Sequence, residues 1–577
     1  MNKTIGVLGG GQLGRMLGES ANRLNVNIRF LDKDNAPAKQ ITNHDSHIKG
    51  SFKDAAAIKQ LAESCDVLSI EIEHVDADVL AEIQDSGLAN VEPSPSTIKI
   101  IQDKYAQKLH LREAQVAVAD AIALEGDSEA ELKAVGARFG YPYMLKSRRD
   151  AYDGRGNFPV MSEQDIHSGI MALGNRGARS LYAEKWAPFT KELAVNVVQT
   201  SRGTLAFPTV ETVHEDSICK IVYAPARGVS NAVLAAAQEL AKKAVRSFQG
   251  KGVYGVEMFL LPNDELLINE IAPRPHNSGH YTIEACPLSQ YDAHLRAILN
   301  LPIPPESLQM REPAIMLNIL GGNTSDAHLA VAKAALSNPR TSVHLYGKGA
   351  GSKGRKMGHV TITAHTMSEC ETLLQPLLHA VDLVSGKIAP STKPPTDLQL
   401  QSARKPLVAV IMGSDSDMPH LVAGFEILEK FNIPFSVHIT SAHRTPGHMA
   451  DFSTRAASYG YQVIIAAAGG AAHLPGMAAA HTALPVIGVP IKASSTDGMD
   501  SLLSIVQMPR GVPVATMAIG NSTNAAIYAA RILGVSDPRI RDVVAEFAEK
   551  NEGDVMVKDG KLGEMGWKKY LKDVMGK

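Results

Sequence analysis

Two glutamates occupy opposite arms of a predicted β-hairpin near the middle of the chain. A turn at 262–265 joins two apolar segments, and folding there pairs Leu261 with Leu266 and therefore Glu257 with Glu270. Directly opposed like charges destabilise a sheet, whereas Mg²⁺ held by carboxylates and nucleotide phosphates removes the repulsion. The alternative, an exposed edge pair, fits poorly with the apolar neighbours of both residues. The sequence therefore predicts a metal site at Glu257 and Glu270.

Several cationic side chains elsewhere could bind the phosphates of the same nucleotide. Lys146 ends an apolar strand and precedes a glycine-rich, charged loop at 147–157, while Lys104 begins a helix. Taken singly, each lysine is typical of a solvated surface. Phosphoryl transfer nevertheless depends on a metal and on Lys or Arg groups that neutralise charge. Further candidates accompany these lysines, namely Glu184, Lys185, Trp186, Glu192, Asn269, Arg274, His276 and Asn277.

A glycine-rich turn follows the first predicted strand. Gly9, Gly11 and Gly14 satisfy G-x-G-x-x-G, and Asp32 ends the next strand. Glycines allow backbone N–H groups to approach a phosphate at a helix N-terminus. The pattern is compatible with a dinucleotide, a monophosphate or a purely structural turn, and the monophosphate is favoured.

Three loops in the last third of the chain follow predicted parallel strands, at 413–417, 441–446 and 469–476. Ligands of doubly wound sheets bind at the carboxyl ends of such strands. Taken one at a time, the polar residues of these loops are typical of helix N-termini. Together, hydroxyl groups and Arg444 predict a phosphate site, with His443 as the neutral-pH proton carrier. His438, His443 and His448 fall on a strand, a loop and a helix, so no metal site is predicted there.

Several domains must position these residues, because 577 residues correspond to three to five domains at about 100 to 200 residues each. Alternating strands and helices predict a parallel α/β domain near the N-terminus. A mixed α+β region, a small β-rich lobe and a proline-rich linker come next. A doubly wound parallel sheet follows. The predicted bounds are 1–120, 121–310, 311–385, 386–406 and 407–577.

Composition excludes several classes of protein. Apolar residues make up 45% and charged residues 20%, which is typical of soluble globular chains. The net charge of -2 favours small-molecule ligands over nucleic acid or a membrane surface. Four scattered cysteines form no C-x-x-C motif, which favours a reducing, cytoplasmic compartment. The N-terminus lacks the apolar region of a signal peptide, so neither export nor membrane insertion is expected.

The N-terminal motifs resemble the ATP-grasp superfamily, and closely the family of N-carboxyaminoimidazole ribonucleotide synthetases. The matching stretches lie within residues 1–385 and read GGGQLGRM, DKYAQK, LKSRRDAYDGRGN, EKWAPFTKE, GVEMFL and NEIAPRPHNSGH. The resemblance implies a Rossmann-like pre-ATP-grasp domain, an α+β ATP-grasp domain and a small β-rich lobe. It also implies N-carboxylation of aminoimidazole ribonucleotide with ATP, bicarbonate and Mg²⁺, in a closed site because carboxyphosphate hydrolyses in water.

The same resemblance implies roles for individual residues. Lys146 and Arg274 would be catalytic, and Glu257 and Glu270 would bind Mg²⁺. ATP would contact Lys104, Lys146, Glu184, Lys185, Trp186, Glu192 and Asn269. The ribonucleotide would contact Gly11, Gln12, Leu13, Tyr152, Arg155, His276, Asn277, Lys353 and Arg355.

The C-terminal motifs resemble the aminoimidazole ribonucleotide carboxylase or mutase family, which has a flavodoxin-like fold. The matching stretches are GSDSD, SAHRTP, AGGAAHLPGM and SLLSIVQMPRGVPVAT, within about residues 405–560. The resemblance implies that His443 is the acid/base at carbon 4 of the imidazole. It implies substrate contacts at Ser414, Asp417, Ser441, Arg444 and His473.

The whole chain resembles the bifunctional phosphoribosylaminoimidazole carboxylases of fungal type, which implies an enzyme of purine biosynthesis with a C-terminal octameric core. One alternative is a carboxylase that uses carbon dioxide directly, with an accessory ATP-grasp half. A nicotinamide oxidoreductase is supported only by the G-x-G-x-x-G pattern. A nucleotide-sensing scaffold is the non-enzymatic alternative.

Overall fold

The computed structural model describes residues 2–42, 45–149, 156–174, 181–387, 406–492 and 496–576. Contacts divide the chain into two compact units, Met1–Pro390 and Ser391–Lys577. Each unit contains its own hydrophobic cores. Most of the predicted linker, residues 388–405, lies outside the described residues. No described helix is both long and apolar enough to cross a membrane.

The first unit begins with a five-stranded parallel sheet in the order β3-β2-β1-β4-β5, as expected for a Rossmann-like domain. Its strands are β1 (Thr4–Leu8), β2 (Asn27–Asp32), β3 (Ile48–Lys49), β4 (Val67–Ile70) and β5 (Asn90–Val91). The connecting helices are α1 (Gln12–Arg23), α2 (Ala55–Ala62), α3 (Ala77–Asp85) and α4 (Pro95–Gln102). Strands β1 and β4 are almost fully buried, because both faces of the sheet are covered by helices.

A four-stranded antiparallel sheet follows, in the order β6-β9-β7-β8. It consists of β6 (Ala121–Ala123), β7 (Tyr143–Ser147), β8 (Asn157–Val160) and β9 (Leu181–Lys185). Helix α5 (Lys104–Glu113) precedes it, and α6 (Glu129–Phe139) and α7 (Ile166–Leu173) pack on it. Strands β7 and β9 are neighbours, so Lys146 and Glu184 approach each other.

The largest sheet has nine strands in the order β15-β14-β10-β12-β13-β16-β18-β17, with β11 paired to β10. Its strands are β10 (Lys191–Thr200), β11 (Gly203–Ala206), β12 (Val210–Glu215), β13 (Ile218–Ala224), β14 (Gly252–Leu260), β15 (Leu266–Ala272), β16 (Ala314–Leu320), β17 (Thr341–Leu345) and β18 (Lys356–Thr363). Its helices are α8 (Asn231–Arg246), α9 (Thr282–Ala285), α10 (Gln290–Ile298), α11 (Ala327–Leu336) and α12 (Met367–Val384).

The strands of the predicted small lobe belong to this same sheet. Strand β16 pairs with β13 through contacts such as Leu317 opposite Ile221. The lobe therefore extends the ATP-grasp sheet and does not form a sheet of its own. The sequence shows the strands of the lobe, but it does not show which edge they join, because that pairing spans about a hundred residues.

The second unit contains a parallel sheet in the order β20-β19-β21-β22-β23. This is the 2-1-3-4-5 order of flavodoxin-like folds, as predicted. The strands are β19 (Val408–Met412), β20 (Phe435–Ile439), β21 (Val463–Gly469), β22 (Val486–Ile491) and β23 (Ala515–Thr516). The helices are α13 (Val422–Lys430), α14 (Pro446–Arg455), α15 (Leu474–Ala480), α16 (Met499–Val506), α17 (Ser522–Leu533), α18 (Pro538–Met565) and α19 (Trp567–Asp573).

Candidate active sites

The hairpin β14–β15 places two carboxylates opposite each other. Glu257 faces Glu270, as predicted, but Leu266 faces Leu260 and not Leu261. The predicted Leu261–Leu266 pair is therefore wrong by one residue. The register shifts between Glu257 and Met258, so Asn269 is an extra, unpaired residue in β15. A β-bulge of this kind re-aims side chains next to functional sites.

The bulge places two consecutive side chains on the same side of the sheet. Ile268 and Ile271 on either side of the bulge lie in the hydrophobic core, so Asn269 and Glu270 both point away from it. Lys146 Nζ lies 3.4 Å from Asn269 Oδ1. Lys104 Nζ donates to Glu270 and forms an ion pair with it. The bulge therefore brings a polar amide and a carboxylate to two predicted phosphate-binding lysines.

The two carboxylates differ in their electrostatic surroundings. Burial, together with the charge of Glu270, raises the pKa of Glu257 above its usual range. Burial also acts on Glu270, but Lys104 and Lys146 outweigh it and hold the pKa of Glu270 below its usual range. His276 Nε2 lies 3.7 Å from Glu257 Oε1. The charges of Lys104 and Lys356 also act on Glu257 but do not outweigh burial and the charge of Glu270, so a bound cation would stabilise this carboxylate.

The donor set at this position suits Mg²⁺, which prefers oxygen ligands. Glu257, Glu270 and Asn269 provide carboxylate and amide oxygens. In the part of the chain that the structure describes, no group of three or more His, Cys, Asp or Glu side chains could hold a metal ion by itself. A Mg²⁺ ion at this site would therefore take further ligands from nucleotide phosphates and water, as is usual for this ion.

Two lysines share the buried carboxylate of Glu184. Lys146 Nζ lies 3.0 Å from Glu184 Oε1, and Lys108 Nζ lies 3.0 Å from Glu184 Oε2. All three side chains are almost completely buried. Burial acts on Glu184, but the two ammonium groups outweigh it and lower its pKa. The sequence analysis missed Lys108, although its position four residues after Lys104 in a helix was a usable signal.

The remaining predicted ATP contacts lie near this triad. Lys185 is exposed and Trp186 half-buried directly after Glu184, and the Lys185 N–H donates to Asp120 O. Glu192 Oε2 lies 3.2 Å from His214 Nδ1. Burial, with a smaller contribution from Glu270, raises the pKa of Glu192 to about 7. Glu192 and Glu257 lie on paired strands of the same sheet.

Arg274 is held by a carboxylate from the N-terminal domain. Its Nε lies 2.6 Å and its Nη2 3.3 Å from the two oxygens of Glu73. Burial opposes ionisation of Glu73, but Arg274 outweighs it and lowers the pKa of Glu73 to about 2. Gln102 Nε2 donates to the backbone of Glu73 and Val75. The sequence analysis missed Glu73, and its signal was the acidic segment directly after β4.

The glycine-rich turn is occupied by an internal carboxylate. The N–H groups of Gly11 and Leu13 donate to Glu71, the latter over 2.9 Å, and Gly10 N–H donates to Asp32. The backbone N–H groups that were expected to bind a phosphate are therefore already paired within the protein. The same N–H groups would be needed to bind the pyrophosphate of a dinucleotide. Burial raises the pKa of Glu71.

The side chain of Gln12 contacts the far edge of the nine-stranded sheet. Lys348 Nζ lies 2.6 Å from Gln12 Oε1 and 2.8 Å from Lys356 O. The backbone of Lys353 forms an isolated β-bridge with that of Gly321, and Arg355 Nη1 lies 3.4 Å from Lys348 O. The predicted basic loop is thus tethered beside the glycine-rich turn.

Two further predicted substrate residues are fixed by buried amides. The N–H of His276 donates to Gln290 Oε1 over 2.9 Å, and Gln290 Nε2 donates to His276 O over 2.8 Å. Asn277 and Asn318 exchange two amide hydrogen bonds of 3.0 and 2.7 Å. Burial, with a smaller contribution from Arg274, lowers the pKa of His276 to about 3. The predicted residues Tyr152 and Arg155 lie outside the described residues.

In the second unit the predicted loops meet at the carboxyl edge of the parallel sheet. Arg444 Nη2 donates to Gly413 O over 2.9 Å, and Arg444 N–H donates to Ser441 Oγ over 3.1 Å. Ser414 and Asp417 form a reciprocal capping box at the start of a short 3-10 helix, so the prediction that polar residues of these loops begin helices is confirmed for this loop. Burial raises the pKa of Asp417.

His443 and His473 are in direct contact. Their Nε2 and Nδ1 atoms lie 2.8 Å apart, and the rings meet edge to face. The contact was not predicted, because the two residues are thirty positions apart on different loops. His438 instead contacts Ser436 and Tyr461.

Four family models match successive parts of the chain. The ribonucleotide synthetase preATP-grasp domain matches residues 1–102, and the ATP-grasp domain matches 109–291. The phosphoribosylaminoimidazole carboxylase C-terminal domain matches 314–372, and AIR carboxylase matches 407–554.

Curated relatives match over nearly the full length. The chain is 54% identical over 542 residues to a phosphoribosylaminoimidazole carboxylase of Ogataea methanolica, covering 93% of this chain and 98% of that protein. It is 51% identical to the Saccharomyces cerevisiae protein of the same name, covering 99% of this chain and 100% of that protein.

Solved structures match the first unit. The carboxyaminoimidazole ribonucleotide synthase of Aspergillus clavatus complexed with ATP is 58% identical, with a TM-score of 0.64. The alignment covers 66% of this chain and 99% of that chain. A second structure from Aspergillus clavatus, in complex with ADP and 5-aminoimidazole ribonucleotide, has 58% identity and a TM-score of 0.63, and covers 66% of this chain and 98% of that chain.

Proposed function

Because the chain belongs to the phosphoribosylaminoimidazole carboxylase family, we propose that it converts 5-aminoimidazole ribonucleotide into the 4-carboxy product in two steps of purine biosynthesis. The first unit carboxylates the exocyclic amine with ATP and bicarbonate. The second unit moves the carboxyl group to carbon 4. The observation that supports the first step best is the opposed pair Glu257 and Glu270, bracketed by Lys104 and Lys146.

In the first step, the residues of the unit position the nucleotide and neutralise its charge. Lys104 and Lys146 bind ATP phosphates, and Glu257, Glu270 and Asn269 would hold Mg²⁺. The γ-phosphoryl group of ATP moves to bicarbonate and gives ADP and carboxyphosphate, and a Mg²⁺ ion held by these residues would supply charge neutralisation. The adenosine contacts are Glu184, Lys185, Trp186 and Glu192. Since the Glu184 carboxylate already binds two lysines, its contribution to the base comes from the backbone of 184–186.

The ribonucleotide lies beside the nucleotide phosphates. Arg274, fixed by the Glu73 carboxylate, stabilises negative charge on the transferred group. The remaining contacts come from the glycine-rich turn, the charged loop at 147–157, the residues after β15 and the tethered basic loop: Gly11, Gln12, Leu13, Tyr152, Arg155, His276, Asn277, Lys353 and Arg355. Since Glu71 already accepts from the N–H groups of Gly11 and Leu13, these two residues contact the ribonucleotide through other atoms. His276 is neutral at physiological pH, because its pKa is lowered to about 3, so it acts as a hydrogen-bonding group.

In the second step, the loops at the carboxyl edge of the parallel sheet bind the carbamate. Ser414, Asp417, Ser441 and Arg444 bind the ribose phosphate portion. The N–C bond of the carbamate breaks and gives carbon dioxide and the amine, and carbon 4 of the imidazole then bonds to that carbon dioxide. His443 removes the proton of carbon 4, which restores the aromatic ring and balances the proton that the amine gains. The contact with His473 orients the imidazole of His443 and shares its proton.

We also propose that the second unit assembles into an octamer in the cytoplasm. Apolar side chains are exposed on its strands and helices: Val437, Ile439, Met499, Leu503, Val506 and Tyr528. Exposed apolar surface of this kind indicates a protein contact. All four cysteines are buried and lie outside disulfides, which fits a reducing compartment. Sedimentation equilibrium of the full chain tests the assembly.

The experiment follows ADP and 4-carboxy product together, with Mg·ATP, bicarbonate and aminoimidazole ribonucleotide. We expect wild type and His443→Asn to form ADP at similar rates, and only wild type to accelerate formation of the carboxy product. The matched control is His481→Asn, an exposed histidine after α15, which should behave as wild type.

Each alternative predicts a different result. Carboxy product at high carbon dioxide without substrate-dependent ADP would support the direct carboxylase and refute the proposed first step. Absence of both products would refute the proposal and favour the scaffold. Binding of a nicotinamide cofactor would favour the oxidoreductase.

A further inference from the structure

The strand that carries Asn269 and Glu270 is the edge strand of the nine-stranded sheet. Edge strands present unpaired backbone groups, yet the outer edge of β15 is paired with helix α5 and the residues after it. Ile268 N–H donates to Ala117 O over 2.8 Å. Lys108 Nζ lies 3.2 Å from Ile268 O.

A second contact pairs the backbone on the other side of the bulge. Gln107 Nε2 donates to Ile271 O over 2.9 Å, and Ile271 N–H donates to Gln107 Oε1 over 2.9 Å. The side-chain amide thus replaces the hydrogen bonds of a missing neighbouring strand. Gln107 and Lys108 are both 2% exposed, so both contacts form away from water, where loss of a partner costs most.

Helix α5 brings three side chains to the same strand. Lys104, Gln107 and Lys108 are spaced i, i+3 and i+4, which places them on one face of the helix. Lys104 contacts the Glu270 carboxylate, while Gln107 and Lys108 bond the backbone on either side of Asn269 and Glu270. A bulged residue lacks its regular ladder hydrogen bonds, so these flanking contacts define where the two side chains point.

We propose that Gln107 and Lys108 are positioning residues that hold the bulge in the geometry needed for metal-bound nucleotide. The proposal rests on the proposed function, which assigns Asn269 and Glu270 to that nucleotide. Gln107 is uncharged and contacts only backbone in β15. An uncharged substitution at Gln107 therefore changes the backbone conformation of the bulge but leaves the charges of the site the same.

The test measures ADP binding to the full chain by calorimetry, with and without Mg²⁺. Gln107→Met should weaken the binding of Mg·ADP by about tenfold, equivalent to about 1.4 kcal/mol, and leave metal-free ADP binding within about twofold. The matched control is Gln199→Met, because Gln199 makes the same kind of contact, to Phe248 O and Gly250 O, away from the bulge. This control should change neither affinity.

A second variant covers the case in which Gln107→Met does not fold. Gln107→Glu keeps the acceptor for Ile271 N–H and loses the donor to Ile271 O when ionised. It should weaken Mg·ADP in the same selective way.

Two outcomes refute the positioning role: equal loss of both affinities in Gln107→Met, or an unchanged affinity for Mg·ADP. Failure of the proposed function has a different signature, since wild type would then form no bicarbonate-dependent ADP at all. Wild type that forms ADP, together with an unaffected Gln107→Met, overturns only the positioning role.

Discussion

His294 joins the two large sheets of the first unit, and its burial predicts a loss of stability in acid. It is fully buried in α10, where Nδ1 accepts from Val253 N–H over 3.1 Å. Nε2 therefore carries the proton and donates to Ser69 Oγ over 2.9 Å. Ser69 lies in β4 and Val253 in β14. A charged imidazolium would break the bond from Val253, and burial lowers the pKa of His294 to about 4.

The sign and size of the effect follow from linkage. An unfolded chain binds a proton at this histidine below its ordinary pKa of 6.5, and the folded chain does so only near pH 4. The contribution of His294 to stability is therefore complete above pH 6.5 and falls as the pH falls towards 4. Between about pH 7.5 and about pH 4.5, the free energy of unfolding should decrease by about 2.5 kcal/mol from this residue.

The assay uses the two tryptophans, Trp186 in the first unit and Trp567 in the second. In a Trp567→Phe background, guanidinium unfolding followed by fluorescence reports the first unit alone. His294→Asn keeps an acceptor for Val253 N–H but has no imidazole to titrate. The pH dependence of its unfolding free energy should be smaller than that of the background by about 2.5 kcal/mol.

Other buried histidines contribute to the acid sensitivity of both proteins, and the comparison cancels them. His167→Asn is the control, since His167 is largely exposed, and it should leave the pH dependence as it is in the background. If His294→Asn and the background lose the same free energy on acidification, the assigned protonation of His294 is wrong.

Two further variants test the first site. Glu270→Gln should abolish bicarbonate-dependent ATP hydrolysis, because it removes a metal carboxylate and the partner of Lys104, while Glu265→Gln at the exposed hairpin turn should retain it; normal turnover of Glu270→Gln would contradict the metal assignment. Arg274→Lys cannot keep both hydrogen bonds to Glu73, and charge-assisted bonds contribute about 1.5 to 3 kcal/mol. The KM for aminoimidazole ribonucleotide should therefore rise at least about tenfold, and an unchanged KM would show that the Glu73 contact is dispensable.

The features that the sequence predicted well depend on local patterns. Glu257 and Glu270 lie on the two arms of one hairpin, so the prediction that they face each other needed only a local pattern. The turn was predicted one residue off, and the bulge at Asn269 is what brings Glu270 opposite Glu257. The parallel sheets follow from apolar segments that alternate with helical spacing and glycine-rich turns. The pattern did not give the strand order of the C-terminal sheet, and the flavodoxin-like fold was expected only from the family resemblance.

The features that the sequence did not predict depend on contacts between distant segments. Arg274 and Glu73 are 201 positions apart, and no motif around either residue indicates that they form a pair. Glu71 fills the glycine-rich turn from a neighbouring strand, which the G-x-G-x-x-G pattern does not indicate. The pairing of β13 with β16 is of the same kind, and so is the contact of His443 with His473.

The bulge in β15 allows the strand to carry one extra polar residue, Asn269, without changing the side on which its apolar residues lie. Leu266, Ile268 and Ile271 face the core, and removal of Asn269 from the chain would leave the strict alternation Leu266, Leu267, Ile268, Glu270, Ile271, Ala272. Every remaining side chain would keep its side of the sheet, and Glu270 would still oppose Glu257. Asn269 is thus an extra residue that adds one polar side chain and leaves the other residues of the strand on their own sides of the sheet. A deletion at this position removes one partner of Lys146 and preserves the hydrophobic pattern that folds the strand.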